Sequence, residues 1–323
     1  MHVDLYIVLG SAVVGLLVGL TGAGGGALMT PMLILLFGVQ PSAAISSDLV
    51  AAVLMRPFGA AVHLRKGTVN LRLVGWMMAG SVPAAFAGAY FLHLLGGGSA
   101  TQGHVETALG AALLAGAAAM VLRYILDRRA GNERRGLIAN ITARPLLTVG
   151  IGVVGGLIVG MTSVGSGSLM IVLLMFLYPT LSASQLVGTD LTQAVPLTLA
   201  AALGALAFGH VEFSVTTSIV IGSVPAVLVG SYLSAWAPDR YIRPAIAFVI
   251  FASGLKYVGV GVTALGWILG AMLVLALAWL GWARPWRDRT PAGQAAEGQP
   301  AARVTSPPGD SLVGRDANGL ERQ

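Results

Sequence analysis

The sequence carries one pattern of residues twice, and this internal repeat limits the fold more than any other feature. The second copy follows the first at an offset of 141 residues, which becomes 142 after a one-residue slip. The matched positions include acidic, proline and tyrosine residues, which two unrelated apolar segments would not keep in register. In the first copy they are Gly15, Gly19, Thr21, Gly24, Gly26, Leu28, Met29, Asp48, Leu49, Gly67, Val69, Gly80, Ser81, Val82, Pro83, Gly88 and Tyr90. The repeat predicts a chain built from two copies of one structural unit.

Long apolar runs, separated by short polar or glycine-rich connections, fill most of the chain. The sequence is 56% hydrophobic and 10% charged, whereas soluble domains carry roughly 25% charged residues. Most runs have the length of about 20 residues that crosses a bilayer as a helix. We therefore predict an all-α polytopic membrane protein with about eight to eleven membrane segments. The runs are 5–37, 43–64, 73–95, 105–126, 146–177, 185–208, 216–236, 241–260 and 262–282.

The repeat and the runs together divide the chain into five predicted parts. The first transmembrane repeat covers residues 1–126, and a basic cytoplasmic loop, 127–144, connects it to the second repeat, 145–260. An extra membrane helix follows at 261–283. The last part, 284–323, is rich in Arg, Pro, Gly, Ala and Gln, a composition typical of a disordered tail.

The placement of Arg and Lys predicts how the two repeats lie in the membrane. These residues concentrate near 65–72, in the 127–144 loop, at Arg240 and Arg243, and in the tail, so all four regions are assigned to the cytoplasm. With that assignment the first run starts and ends outside, whereas its counterpart in the second repeat starts and ends inside. The repeats are then inverted, as in many secondary transporters. We expect a multi-pass protein of the cell inner membrane.

The charge pattern also limits the partners. The formal net charge of +6 could suggest nucleic acid, but the basic residues follow the positive-inside pattern of a membrane protein instead. We therefore expect membrane lipid and a small solute as partners and no nucleic acid. A homodimer is left open by the sequence.

Two glycine-rich breaks interrupt equivalent apolar runs. Open backbone at membrane depth is tolerated only inside protein or beside a water-filled cavity, and a helix that restarts after a break directs its N–H groups toward anions. We predict an anion-binding substrate site at the breaks, while close helix packing is the alternative. The predicted site residues are Thr21, Gly22, Gly24, Gly25, Gly26, Thr162, Ser163, Gly165, Ser166, Gly167 and Ser168.

Three charged residues inside the runs are candidates for proton coupling or gating. Asp48 and Asp190 occupy equivalent positions in the two repeats, and an acid inside a membrane segment is a functional candidate. Each could instead be a helix N-cap near the interface. Arg56 lies eight residues after Asp48 on one predicted helix and could pair with it, bind an anion or snorkel toward the surface.

The sequence provides no sign of enzymatic or metal chemistry. There is no cysteine, the five histidines are scattered, and no nucleophile, zinc or nucleotide motif occurs. We predict no enzyme activity, no metal and no cofactor.

The glycine-rich stretch Gly19–Gly26, the motifs that contain Asp48 and Asp190, and the pairs at Gly67 and Gly209 form one set of motifs. Together they resemble the sulfite exporter TauE/SafE family over about residues 5–260. The resemblance implies carriers of the bacterial inner membrane that move sulfite, sulfonates or related small anions. Val172 stands where Pro31 would align, and acids replace a hydroxyl in Ser47-Asp48 and Thr189-Asp190. The motifs are Gly19-Leu20-Thr21-Gly22-Ala23-Gly24-Gly25-Gly26 followed by Pro31, Ser47-Asp48-Leu49, Gly188-Thr189-Asp190-Leu191, and the Gly-x-Val pairs at Gly67 and Gly209.

The sequence thus predicts a secondary transporter that exports a small anion, with sulfite, a sulfonate or another organosulfur anion as substrate. An external gradient must supply the energy, because no ATP-binding motif is present. Two alternatives stay open at this point: a passive anion channel or facilitator, and a membrane accessory or assembly factor that transports nothing.

Overall fold

A computed structural model describes residues 3–21, 25–96, 99–129, 144–233, 239–261 and 263–271 of the 323-residue chain. Over these residues the regular secondary structure is entirely helical, which confirms the predicted all-α class. The chain divides into two units, Met1–Leu269 and Gly270–Gln323. The predicted tail at 284–323 belongs to the second unit and lies outside the described residues.

The helices follow the predicted runs. Residues 263–271 are also helical, within the segment predicted as an extra membrane helix. In the first half the helices are α1 (Leu5–Thr21), α2 (Gly26–Phe37), α3 (Pro41–Arg65), α4 (Leu71–Gly96) and α5 (Ser99–Arg129). In the second half they are α6 (Pro145–Thr162), α7 (Leu169–Leu177), α8 (Ala183–Phe208), α9 (Phe213–Leu233) and α10 (Asp239–Tyr257).

Six of the described helices, α3, α4, α5, α6, α8 and α9, are long and apolar enough to cross a membrane. Helices α1 and α2 and the Ala245–Tyr257 part of α10 are apolar but shorter. Many large apolar side chains are exposed on the outer surface, among them Leu146, which is 87% exposed. Such a surface is stable in lipid, so the chain is a multi-pass membrane protein.

Both long interrupted runs are divided into two helices. Helix α1 ends at Thr21 and α2 begins at Gly26, while residues 22–24 lie outside the described part of the chain. Helix α6 ends at Thr162, and α7 begins at Leu169. In the second break Ser163, Gly165 and Gly167 have positive φ angles of 59°, 117° and 92°. Two of these three positions are glycine, the residue that adopts such angles without strain.

Glycines bring helices into backbone contact in two pairs, α1 with α9 and α4 with α6. At each of these glycines an added Cβ would collide with a carbonyl oxygen of the facing helix. The repeat offset relates four contacts of one pair to four contacts of the other, whereas Gly152, which lies against the Met77 carbonyl oxygen, has Ser11 at its equivalent position. The equivalent contacts are Gly15–Ser223 and Gly156–Ser81, Gly19–Val227 and Gly160–Ala85, Gly222–Val8 and Gly80–Val149, and Gly230–Leu16 and Gly88–Leu157.

Helices of one half therefore pack against helices of the other half. Helix α9 of the second half packs on α1 of the first, α4 packs on α6, and α3 meets its own counterpart α8. The sequence repeat is thus also a repeat of packing contacts. The inverted orientation of the two repeats in the membrane stays a prediction.

The glycine contacts can be tested within helix α4. The Gly80→Ala variant should unfold at a lower temperature in detergent, because its Cβ would overlap the Val149 carbonyl oxygen. Overpacking of this kind costs about 1–3 kcal/mol. Gly75→Ala is the matched control, since no atom lies within 4 Å of its added Cβ. Equal melting temperatures for the two variants would contradict the close packing of α4 on α6.

Candidate functional site

Arg56 places a guanidinium group inside the protein. Its side chain is 8% exposed, and Nη1 and Nη2 are buried with no hydrogen-bond partner among the described residues. The group therefore does not reach the surface, and the snorkelling alternative does not describe it. Its charge acts on two carboxylates, those of Asp190 and Asp48. A buried cation with free donors needs an electronegative partner, which makes this side chain the first candidate for contact with an anion.

Asp48 is fully buried about two turns into α3. The N-cap of that helix is Gln40, so Asp48 does not have the capping role. Its Oδ2 accepts hydrogen bonds from Thr30 Oγ1 at 3.0 Å and from Ser163 Oγ at 2.7 Å. Its Oδ1 is buried and has no hydrogen-bond partner in the described part of the chain. The carboxylate thereby joins helices α2 and α3 to the second break.

Asp190, the counterpart of Asp48, is also fully buried about two turns into its helix, α8. The N-cap of α8 is Ser182, which forms a capping box with Gln185, so the capping alternative is wrong here as well. Oδ1 of Asp190 accepts a hydrogen bond from Gln193 Nε2 at 3.3 Å, and the backbone N–H of Gly167 lies close to the same carboxylate. No hydrogen-bond partner of its Oδ2 occurs within the ranges that the structure describes.

One cavity contains all three charged side chains. It is also lined by Gly25 of the first break and by Ser166 and Gly167 of the second. Its volume is about 630 Å³, including space that is open to solvent. The remainder of the wall is mostly apolar and comprises Val18, Gly19, Ala52, Met55, Gly59, Leu191, Ala194, Val227 and Ser231.

The two breaks touch each other beside this cavity. A Cβ at Gly26 would overlap the carbonyl oxygen of Ser163, so the start of α2 lies directly against the turn that follows α6. The positive φ of Ser163 ends α6 and turns the chain, and the Ser163 hydroxyl donates to Asp48. Five residues predicted from the breaks therefore lie around the charged groups, namely Gly25, Gly26, Ser163, Ser166 and Gly167.

Other predicted site residues do not line the cavity. The Thr162 hydroxyl donates to the Ile158 carbonyl oxygen at 2.7 Å, a bond within its own helix. Gly165 lies beside side chains of α6. The Ser168 hydroxyl faces α5, where a Cβ at Gly116 would lie 3.3 Å from its Oγ. The Thr21 side chain, Gly22 and Gly24 are outside the described part of the structure.

Three polar residues near the acids were not predicted. Thr30 donates to Asp48, and Gln193 Nε2 contacts Met170 Sδ at 2.8 Å in addition to Asp190. Oε1 of Gln193 accepts a hydrogen bond from Ser81 Oγ at 3.0 Å. The sequence did contain a signal for these residues, because each is a polar residue in an apolar run. In addition, Gln193 follows Asp190 by three residues, which places both on one face of the helix.

The residue before each acid binds a connection of the other half. Ser47 Oγ accepts a hydrogen bond from the Glu212 N–H at 3.2 Å, in the connection between α8 and α9. Thr189 Oγ1 accepts one from the Asn70 N–H at 3.2 Å, in the connection between α3 and α4. An offset of 142 relates these two hydrogen bonds. Each half therefore completes the surroundings of the acid in the other half.

The family profile described as Sulfite exporter TauE/SafE matches residues 7–257, which include both breaks, both acids and Arg56. The chain belongs to this family. As a member it is a membrane transporter rather than an enzyme.

Two relatives from Bacillus subtilis (strain 168) are named as probable membrane transporters. YjnA is 40% identical over 253 residues, covering 78% of this chain and 98% of the relative. YdhB is 24% identical over 252 residues, with the same coverage. No solved structure matches the chain.

The hydrogen bond to Asp48 predicts a measurable effect on stability. Thr30→Val keeps the side-chain shape but removes a donor to a buried carboxylate, a loss of about 1–3 kcal/mol. Thr198→Val is the matched control, because that buried hydroxyl donates only to the Ala194 carbonyl oxygen of its own helix. Detergent unfolding curves should show a clear loss for Thr30→Val and a small one for the control.

The same comparison in an Asp48→Asn background identifies the partner. The cost of Thr30→Val should shrink there, because the oxygen that it leaves without a donor no longer belongs to a carboxylate. An unchanged cost in that background would show that Thr30 stabilises the protein through another contact.

Proposed function

We propose that the protein is a secondary transporter that exports a small anion, with sulfite, a sulfonate or another organosulfur anion as its substrate. It works in the cell inner membrane, with the C-terminal tail in the cytoplasm. The anion binds at Arg56, in the cavity between the two glycine-rich breaks. Membership of the family, whose name is that of a sulfite exporter, supports the class of substrate.

One observation carries this proposal: the two terminal nitrogens of Arg56 are buried without a hydrogen-bond partner in the described chain, and the side chain lines a cavity. A guanidinium group presents a planar fork of donors that matches two oxygens of a sulfonate or sulfite. Leaving those donors unpaired in a low-dielectric site is costly. A bound oxyanion removes the cost, so the empty protein is prepared for an anion.

The proposed site differs from the site expected at the breaks alone in which groups donate to the anion. The Ser163 hydroxyl, which was expected to face the substrate, donates to Asp48, and the Gly167 N–H lies close to the Asp190 carboxylate. The breaks thus hold the acids in place, and the anion receives its donors chiefly from Arg56. Ser166 lies on the same cavity wall.

The two acids support coupling to protons. An anion bound at Arg56 shares a cavity with two carboxylates, and like charges in a low-dielectric site repel each other strongly. Uptake of a proton by Asp48 or Asp190 removes one of those charges. Anion binding and proton binding therefore favour each other, which is the requirement for coupled transport.

Replacing the arginine tests the site. Purified protein in liposomes should carry radiolabelled sulfite or a sulfonate, and Arg56→Gln should lower the initial rate about 10- to 100-fold, the worth of charge-assisted hydrogen bonds. Arg56→Lys should keep part of the rate, because it retains the charge but not the fork. The exposed Arg72 provides the matched control, since Arg72→Gln removes the same charge outside the cavity.

Three outcomes of this assay separate the function classes. Accumulation against a gradient that an uncoupler abolishes indicates a carrier, whereas flux that only equalises the two sides indicates a channel. A failure to move sulfite, thiosulfate and sulfonates alike would favour an accessory factor. A folded Arg56→Gln protein with the wild-type rate would contradict the binding site.

A further inference from the structure

The charges in the cavity do not cancel. Asp48 and Asp190 carry two negative charges when ionised, and Arg56 carries one positive charge. No other ionisable side chain of the described residues lines the cavity. The charge of Arg123 in α5 also acts on Asp190, but this half-buried side chain does not line the cavity. Among the side chains that line it, the fully ionised cavity is thus short of one positive charge.

A net charge buried in a membrane protein is unfavourable, and one proton on either acid removes it from the empty site. Arg56 then balances the acid that stays ionised. A monovalent anion brings the negative charge back, and a second proton, on the remaining acid, restores neutrality. Relative to the empty site, the loaded site has gained one anion and one proton.

The geometry provides a place for each proton. Oδ1 of Asp48 and Oδ2 of Asp190 are the buried carboxylate oxygens without a partner. A proton taken from water at either atom forms an O–H bond, and that O–H can donate to the bound anion. Thr30 and Ser163 donate to the other oxygen of Asp48, and Gln193 donates to the other oxygen of Asp190. The Gly167 N–H lies close to the Asp190 carboxylate, and none of these four groups is ionisable.

We propose that the protein carries a monovalent oxyanion and one proton together in the same direction, without moving net charge, and selects against divalent anions. A divalent anion would leave one negative charge in the site, because no further ionisable group among the described residues lines the cavity to neutralise it. This inference rests on the proposed function and names its substrate charge and coupling ratio. Net export then requires an outward anion gradient that exceeds the inward proton gradient.

Ethanesulfonate and 1,2-ethanedisulfonate test the charge rule, because the charge of neither compound changes with pH. The full-length protein is placed in liposomes with imposed pH gradients or potassium diffusion potentials, and internal pH is recorded. Ethanesulfonate should accumulate on the alkaline side with one proton per anion, and the membrane potential should have no effect. The disulfonate should move at least about tenfold more slowly, because its second charge stays unbalanced.

Asparagine variants locate the protons. In Asp48→Asn/Asp190→Asn no acid remains, so ethanesulfonate flux should move no protons and should follow the membrane potential. Either single variant should retain one proton per anion, because the remaining acid balances Arg56 when the site is empty and takes up a proton when the anion binds. If the double variant does not fold, the number of protons moved per anion in the wild-type protein and in the two single variants still tests the proposal.

The failures of the two proposals are distinguishable. Absence of any sulfite or sulfonate flux in the wild-type protein would overturn the proposed function. Flux that responds to membrane potential without proton movement, or equal rates for the two sulfonates, would overturn the charge rule alone. Proton movement that survives in the double variant would exclude Asp48 and Asp190 as the proton sites.

Discussion

A single buried carboxylate, that of Asp48, connects the parts of the chain that form the cavity. Its Oδ2 accepts one hydrogen bond from a hydroxyl of α2 and another from the turn after α6, so two consecutive helices and a turn 115 residues further along the chain meet at one oxygen atom. Such a group is stable inside the protein only while its donors remain in place. The position of Arg56, two turns further along the same helix, therefore depends on the same two hydrogen bonds.

The helices around the Asp48 carboxylate are held in place by two different kinds of contact. Helices α1 and α9, like α4 and α6, meet through glycine at backbone distance, which leaves little room for rearrangement at those contacts. The short helices α2 and α7 are held instead by buried side chains, including Met29 and Leu33 in α2 and Met170 and Leu174 in α7. The rigid pairs form a frame, and the elements that end at the cavity are positioned within it by side chains.

Much of this organisation follows from sequence patterns, whereas the partners of individual polar atoms do not. Repeat, run length and charge located the helices and drew attention to Asp48, Asp190 and Arg56. Spacing along a helix cannot show which neighbouring hydroxyl turns toward a charge. Thr162 and Ser163 are adjacent, yet the first donates within α6 and the second, at a positive φ, reaches Asp48. Those choices depend on tertiary packing, which the linear pattern does not record.

The paired hydrogen bonds from Glu212 to Ser47 and from Asn70 to Thr189 mean that neither half is self-sufficient. Each connection is a part of the opposite half's acid site as well as a link within its own. An insertion or deletion in the α3–α4 connection would displace Asn70 and so be felt next to Asp190, far away in sequence. Changes in the length of these short connections are therefore constrained by the opposite half, and the two halves can diverge only as a matched pair.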